Sequence, residues 1–207
     1  MALKNTKIDT LFAEPMFRAD ISDAITPEQV EHIQTLPMVE NQTNLISQDK
    51  YIFNNPKLES ISNAVQEALD VYADQVMGIP HKLYVTQSWS LINTPGKGMH
   101  GHSHSNSVVS GSLYYCDMPE PAARMIFDRH RVYQQLKLDP TVEKRNVFNT
   151  PMNLVVPRKG EVCLFSSSLQ HLVEPNIASR ERYSIAFNAF VRGNLGDYVD
   201  VSELEIK

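Results

Sequence analysis

Two stretches in the first eighty residues carry helical spacing. Thr26-Pro27-Glu28-Gln29 forms a capping box with proline at the first helical position, and Val30, Ile33 and Leu36 follow on one face. A second helix starts at Asn55-Pro56. Leu58, Ile61, Val65, Leu69, Tyr72 and Val76 then recur at steps of three and four, so one stripe seeks burial. Gly78-Ile79-Pro80 stops it. From residue 82 the period shortens. Runs rich in Val, Ile, Tyr and Phe alternate with turn clusters such as Asn93–Gly98 and Pro157–Gly160. They predict strands near 83–93, 108–116, 123–128, 153–156, 161–166 and 180–192. The pattern predicts a mainly β chain with N-terminal helices. Residues 1–80 are the helical support, 81–195 the core of an antiparallel sandwich or barrel, and 1–207 a single domain. Residues 129–150 are polar and weakly periodic and read as a long loop. With Arg129, Arg131, Lys137, Lys144 and Arg145 on it, this loop is the expected lid or substrate-facing segment.

Charge and cysteine count remove several classes of function. A net charge of -5 argues against a broad grip on nucleic acid. Cys116 and Cys163 are the only cysteines, too few for a disulfide scaffold or a CxxC metal motif, and both read as buried strand residues. No apolar run reaches the roughly 20 residues of a membrane helix, and the first seven residues lack a signal-type apolar core. These features together point to a cytoplasmic protein with reduced thiols.

Three of the seven histidines fall within five residues: His100, His102 and His104. Period 2 places them on one face of an extended segment, where imidazoles suit Fe, Zn, Cu or Ni; a solvated, His-rich loop is the plain alternative. His171 stands alone at the end of a strand. The strand after it splits by face. Tyr183, Ile185, Phe187 and Ala189 form one side; Arg182, Ser184, Ala186 and Asn188 form the other. That second side is small and hydrogen-bonding, with a single cation two residues from a hydroxyl. A guanidinium beside a hydroxyl is a carboxylate clamp, suited to a small anionic ligand inside a barrel.

His171, Arg182 eleven residues later, and Ser184 resemble the distal-histidine and Arg-x-Ser pattern of the Fe(II)/2-oxoglutarate-dependent oxygenases. Ser88-Trp89-Ser90, the run from His102 to Ser107, Ser110-Gly111, Tyr114, Pro157-x-x-Gly160, Leu164-Phe165 and Phe187-Asn188 resemble one branch, common in marine bacteria and phages. Leu11-Phe12-Ala13-Glu14-Pro15 resembles that branch's start. The resemblance implies a double-stranded β-helix, the jelly-roll barrel. It implies a dioxygenase, best described as a hydroxylase, that uses Fe(II), 2-oxoglutarate and O2. His102, His104 and His171 would hold the metal. Arg182 would pair with the far carboxylate of 2-oxoglutarate, with Ser184 beside it and Asn93, Tyr114 and Asn188 as further pocket candidates. Core packing is the alternative for Tyr114 and Trp89.

One departure stands out. The superfamily places a carboxylate two residues after its first histidine, where this chain has His104. His104 completes a three-histidine site, or Asp128 or Asp117 approaches from another strand, or water takes the place; His100 rivals the upstream ligands. Three histidines leave one negative charge fewer beside the metal, which predicts weaker iron retention or altered reactivity. A cupin would need Glu where Val108 and Val109 stand, and would leave Arg182 unexplained. A jelly-roll binding or virion-associated module, or a non-oxidative metal regulator, would not answer to 2-oxoglutarate. The substrate is unspecified, a peptide, protein or small metabolite, and oligomeric state is not readable.

Overall fold

A computed structural model describes residues 4–129 and 140–206. Strand β1 (Phe17–Asp20) leads to helix α1 (Pro27–Gln34), strands β2 (Met38–Glu40) and β3 (Leu45–Ser47), and helix α2 (Glu59–Val71). Then follow β4 (Lys82–Asn93), β5 (Met99–His102), β6 (Val109–Leu113), β7 (Met125–Asp128), β8 (Met152–Val155), β9 (Glu161–Ser166), β10 (His171–Val173), β11 (Arg182–Leu195) and β12 (Leu204–Ile206).

The helices start where their caps dictate. Thr26 Oγ1 accepts from the Gln29 N–H and Gln29 Oε1 accepts from the Thr26 N–H, closing the capping box. Asn55 accepts from the Lys57 N–H and opens a short 3-10 turn over Pro56–Leu58, so α2 proper begins at Glu59. A π-helical turn over Tyr72–Met77 prolongs α2, and Gly78 ends it in the left-handed region at φ 63°. Leu58, Ile61, Val65, Leu69 and Tyr72, the predicted stripe, are buried in one cluster with Val162, Leu164, Ile185, Phe187 and Ala189. Burial of each of these aliphatic side chains contributes about 1.5–3 kcal/mol. The helices therefore cover one face of a sheet, as the pattern predicts.

That sheet runs β1-β9-β6-β11-β4-β3-β2, with β12 paired to the end of β11. A second sheet runs β5-β10-β7-β8. All the named strand pairs are antiparallel, and the fold is mainly β, the jelly-roll barrel that the resemblance implies. β11 divides the molecule. Ile185, Phe187 and Ala189 enter the helix-covered core, while Arg182 and Ser184 lie buried on the opposite face, inside the barrel.

The six predicted strands appear as β4, β6, β7, β8, β9 and β11. Six more were not predicted: β1, β2, β3, β5, β10 and β12. Each has three or four residues; β7 and β8 are as short, but lie in apolar runs that show, whereas these six are held by their partners rather than by a pattern of their own. In the predicted loop, Val142–Lys144 forms a 3-10 turn and Arg129 donates to the Phe148 carbonyl at 2.6 Å. Arg131 and Lys137 lie outside the described residues.

Candidate metal centre

β5 and β10 build the centre by pairing. Their register places His102 directly opposite His171, and the two rings lie 4.4 Å apart. His104 follows β5 on a short irregular stretch. Its backbone N–H donates to the Ser167 carbonyl at 2.9 Å, which turns its ring onto that of His171, stacked at 17° and 5.2 Å. One ligand-capable atom from each of the three histidines lies within 4.8 Å of the other two. Sequence spacing pairs His102 with His104 and the family resemblance adds His171; the strand pairing is what brings the three rings together.

The imidazoles are prepared as ligands. The Nδ1–H of His102 donates to the His100 carbonyl at 2.8 Å, and that of His171 to the Leu169 carbonyl at 2.9 Å. A carbonyl only accepts, so each bond fixes the tautomer and leaves the Nε2 lone pair available. Burial, with the neighbouring His102, pushes His104 down to about 4. Burial also pushes His171 down to about 4, against the opposing bond to Leu169. Both are therefore neutral near pH 7. Phe127 and Phe165 wall His171 on the barrel side. Sequence reasoning does not single out Phe127 and quotes Phe165 only within the Leu164-Phe165 motif, without a role, because a buried wall looks like any core.

The rival ligands are elsewhere. His100 is exposed and gives His102 its backbone carbonyl. Asp117 is an exposed residue paired with Lys159 at 3.1 Å, and neither it nor Asp128 joins the three-histidine group.

The same cavity, about 60 Å³, is lined by the three histidines and, from β11, by Arg182, Ser184 and Ala186. Arg182 is only 2% exposed. Its neighbours are neutral: Asn93 Oδ1 and Ser184 Oγ each lie 3.5 Å from Nη1, and Tyr114 Oη lies 3.4 Å from Nη2. Nε has no partner, and among the described residues no carboxylate pairs with this guanidinium. A buried cation in such a setting is costly until an anion reaches it. Burial pushes the Tyr114 phenol up to about 12, so it stays neutral, accepting from the guanidinium and donating to Met125 Sδ at 2.6 Å. Asn93, Tyr114 and Ser184 thus converge on Arg182. Asn188 does not line the cavity; it contacts Ser110 at 3.0 Å, in a cluster with Ser167 and Ser107. Trp89 lines the cavity, its ring 6.3 Å from that of His104.

Residues 87–188 match the model of a protein family described as "Putative 2OG-Fe(II) oxygenase". No curated protein matches the chain. Solved structures with the same fold include an oxidoreductase of the 2OG-Fe(II) oxygenase family from Burkholderia pseudomallei. It is 13% identical with a TM-score of 0.58, over 84% of this chain and 83% of that one. HygX from Streptomyces hygroscopicus, crystallised with nickel and 2-oxoglutarate, is 12% identical with a TM-score of 0.59, over 85% and 82%. A Pseudomonas putida prolyl-4-hydroxylase is 14% identical with a TM-score of 0.57, over 86% and 92%.

Proposed function

Residues 87–188 match the 2OG-Fe(II) oxygenase family, and from that premise we propose that His102, His104 and His171 hold the iron and Arg182 anchors 2-oxoglutarate. The chain is an Fe(II)- and 2-oxoglutarate-dependent oxygenase. The observation that carries the site assignment is Arg182, a buried cation with no carboxylate partner among the described residues, in the cavity that the three histidines line.

The donor set suits the group. Three imidazoles, two with their tautomer fixed by a backbone carbonyl, match the nitrogen preference of non-haem iron. When bound, iron with 2-oxoglutarate and O2 supplies the oxidising chemistry: decarboxylation to succinate and CO2 is coupled to oxidation of a substrate C–H bond. The protein's own residues orient and shield. Arg182 pairs with the far carboxylate in a charge-assisted contact, stronger than a neutral hydrogen bond and undiluted by water. Ser184, and the Tyr114 phenol once its proton turns from Met125 Sδ, offer further hydrogen bonds to that carboxylate. Asn93 is itself anchored by donating to the Gly98 carbonyl at 3.0 Å, which keeps its oxygen toward Arg182. Phe127 and Phe165 keep the His171 side dry.

The reaction on the substrate is read as a hydroxylation. One neighbour of the same fold is a prolyl-4-hydroxylase and another was crystallised with hygromycin B. A peptide or a small polar metabolite is the class proposed here. A cytoplasmic setting, that of the host if the gene is carried by a phage, is part of this reading. It is supported by two free cysteines, and among the described residues no helix is long and apolar enough to cross a membrane.

The test is anaerobic. Fe(II) and then 2-oxoglutarate are added to the metal-free protein while the visible charge-transfer band is followed. The expected result is a band that needs both additions and is lost in Arg182→Ala. Iron binding without the band, or a band unchanged in the variant, rejects the Arg182 assignment. Failure to bind iron rejects the histidine assignment and leaves a barrel that serves as a binding module.

A further inference from the structure

The three histidines are not braced alike. His102 and His171 each donate from Nδ1 to a carbonyl, whereas among the described residues the ring nitrogens of His104 make no hydrogen bond. His104 is placed by its backbone, through the bond to the Ser167 carbonyl. What holds Ser167 therefore holds the ligand.

Ser167 is 1% exposed and sits in a row of hydroxyls. Its Oγ lies 2.7 Å from Ser107 Oγ and 2.9 Å from Ser110 Oγ. Ser107 Oγ donates to the carbonyls of Val109 and Ala189, at 3.0 and 3.1 Å. Ser110 Oγ lies 3.0 Å from Oδ1 of Asn188. Counting protons is informative. Ser107 spends its hydrogen on the carbonyls. The Ser167–Ser107, Ser110–Ser167 and Ser110–Asn188 contacts then need three more, and the two remaining hydroxyls supply two. Rotating the Asn188 amide by half a turn exchanges an oxygen and a nitrogen that only their hydrogen bonds distinguish. Nδ2 then supplies the missing proton. Every contact is satisfied in one direction, from Asn188 to Ser110, Ser167, Ser107 and the Ala189 carbonyl.

We propose that Asn188 is a positioning residue for the metal centre, the donor at the head of a one-way hydrogen-bond chain that fixes Ser167 and, through its carbonyl, His104. The proposal rests on the three-histidine centre proposed above. It gives the face of β11 two tasks: Arg182 at one end receives the cosubstrate, and Asn188, three alternations along, steadies a ligand. The pull of aligned hydrogen bonds on one another strengthens such a chain, and a wrong-way member disrupts it along its length.

The test uses Co(II) as the probe in the full-length protein, with its visible d–d band as the readout and loss to excess EDTA as the rate. Three variants are compared with the parent: Asn188→Asp, Asn188→Ala and Ser110→Ala. Asn188→Asp keeps the shape but can only accept near pH 7, so it draws the Ser110 proton away from Ser167. It is expected to speed Co(II) loss about 10-fold and alter the band, in the range found for groups that orient metal ligands. Asn188→Ala removes the donor yet lets Ser110 still donate to Ser167, so its effect is expected to be smaller. A space-filling role gives the opposite order, with the isosteric Asn188→Asp harmless, and overturns the proposal. Ser110→Ala interrupts the chain independently; Co(II) loss at the parent's rate in that variant overturns it as well, even if Asn188→Asp does not fold. A parent protein that binds no Co(II) rejects the metal centre itself, and the proposal with it.

Discussion

Arg182 keeps a full charge where water scarcely reaches, with an orphan Nε and three neutral neighbours at 3.4–3.5 Å. Such a residue works against the folded state and serves the ligand. Arg182→Met, apolar and of similar length, is accordingly expected to stabilise the ligand-free protein by on the order of 1 kcal/mol, read as a higher urea midpoint. The same variant is expected to lose the stabilisation that 2-oxoglutarate gives the parent, since a ligand that binds only the folded state raises its stability. A variant less stable than the parent would show that Asn93, Tyr114 and Ser184 already satisfy the guanidinium.

Among the elements, β6 shows how closely the two faces of the large sheet are tied. Its Gly111 pairs in register with Phe187 of β11 and Leu164 of β9. A Cβ added there would lie 2.2 Å from Phe187 Cζ and 2.8 Å from Leu164 Cδ2. Those side chains belong to the helix-covered core, so any side chain at 111 wedges β6 from its neighbours. Gly111→Ala is expected to cost about 1–3 kcal/mol, measured by denaturant unfolding. Because Ser110 and Ser112 flank the wedge on the barrel side, iron retention should fall with it. Unchanged stability would mean that Phe187 can turn aside at no cost. β5 and β10 make the complementary case: neither has a hydrophobic period long enough to announce a strand, yet their pairing is what joins His102 to His171.

For the whole molecule, the buried histidines predict a dependence of stability on pH. His104 and His171 are held near 4 in the folded protein against about 6.5 when unfolded. Between those values the unfolded chain binds more protons, so stability rises with pH there. The metal-free protein is expected to keep this contribution above pH 6.5 and lose it as the pH falls toward 4. Glu174, its carboxyl lowered mainly by the hydrogen bond from Arg124, adds its own loss only below the ordinary glutamate range. Urea midpoints at pH 7 and pH 5 separate the two: a fall by pH 5 is the histidines' mark, and equal midpoints would show that neither ring is desolvated.

What the sequence determined by itself was local. The capping box at Thr26 and the stripe on α2 are patterns of near neighbours, and both helices formed on them. The alternation along β11 told the core face from the Arg182 face, because a strand turns each successive side chain to the opposite side. The motifs around His102, His171 and Arg182 carried the family resemblance and, with it, the cosubstrate. Tertiary structure alone decided which groups meet. It set His171 opposite His102 across a strand pair too short to read and left His100 outside. It also placed Asn188 among Ser107, Ser110 and Ser167 rather than against the cavity. Those residues lie far apart in the chain, and a hydrogen bond between them depends on register between strands, which no local period encodes.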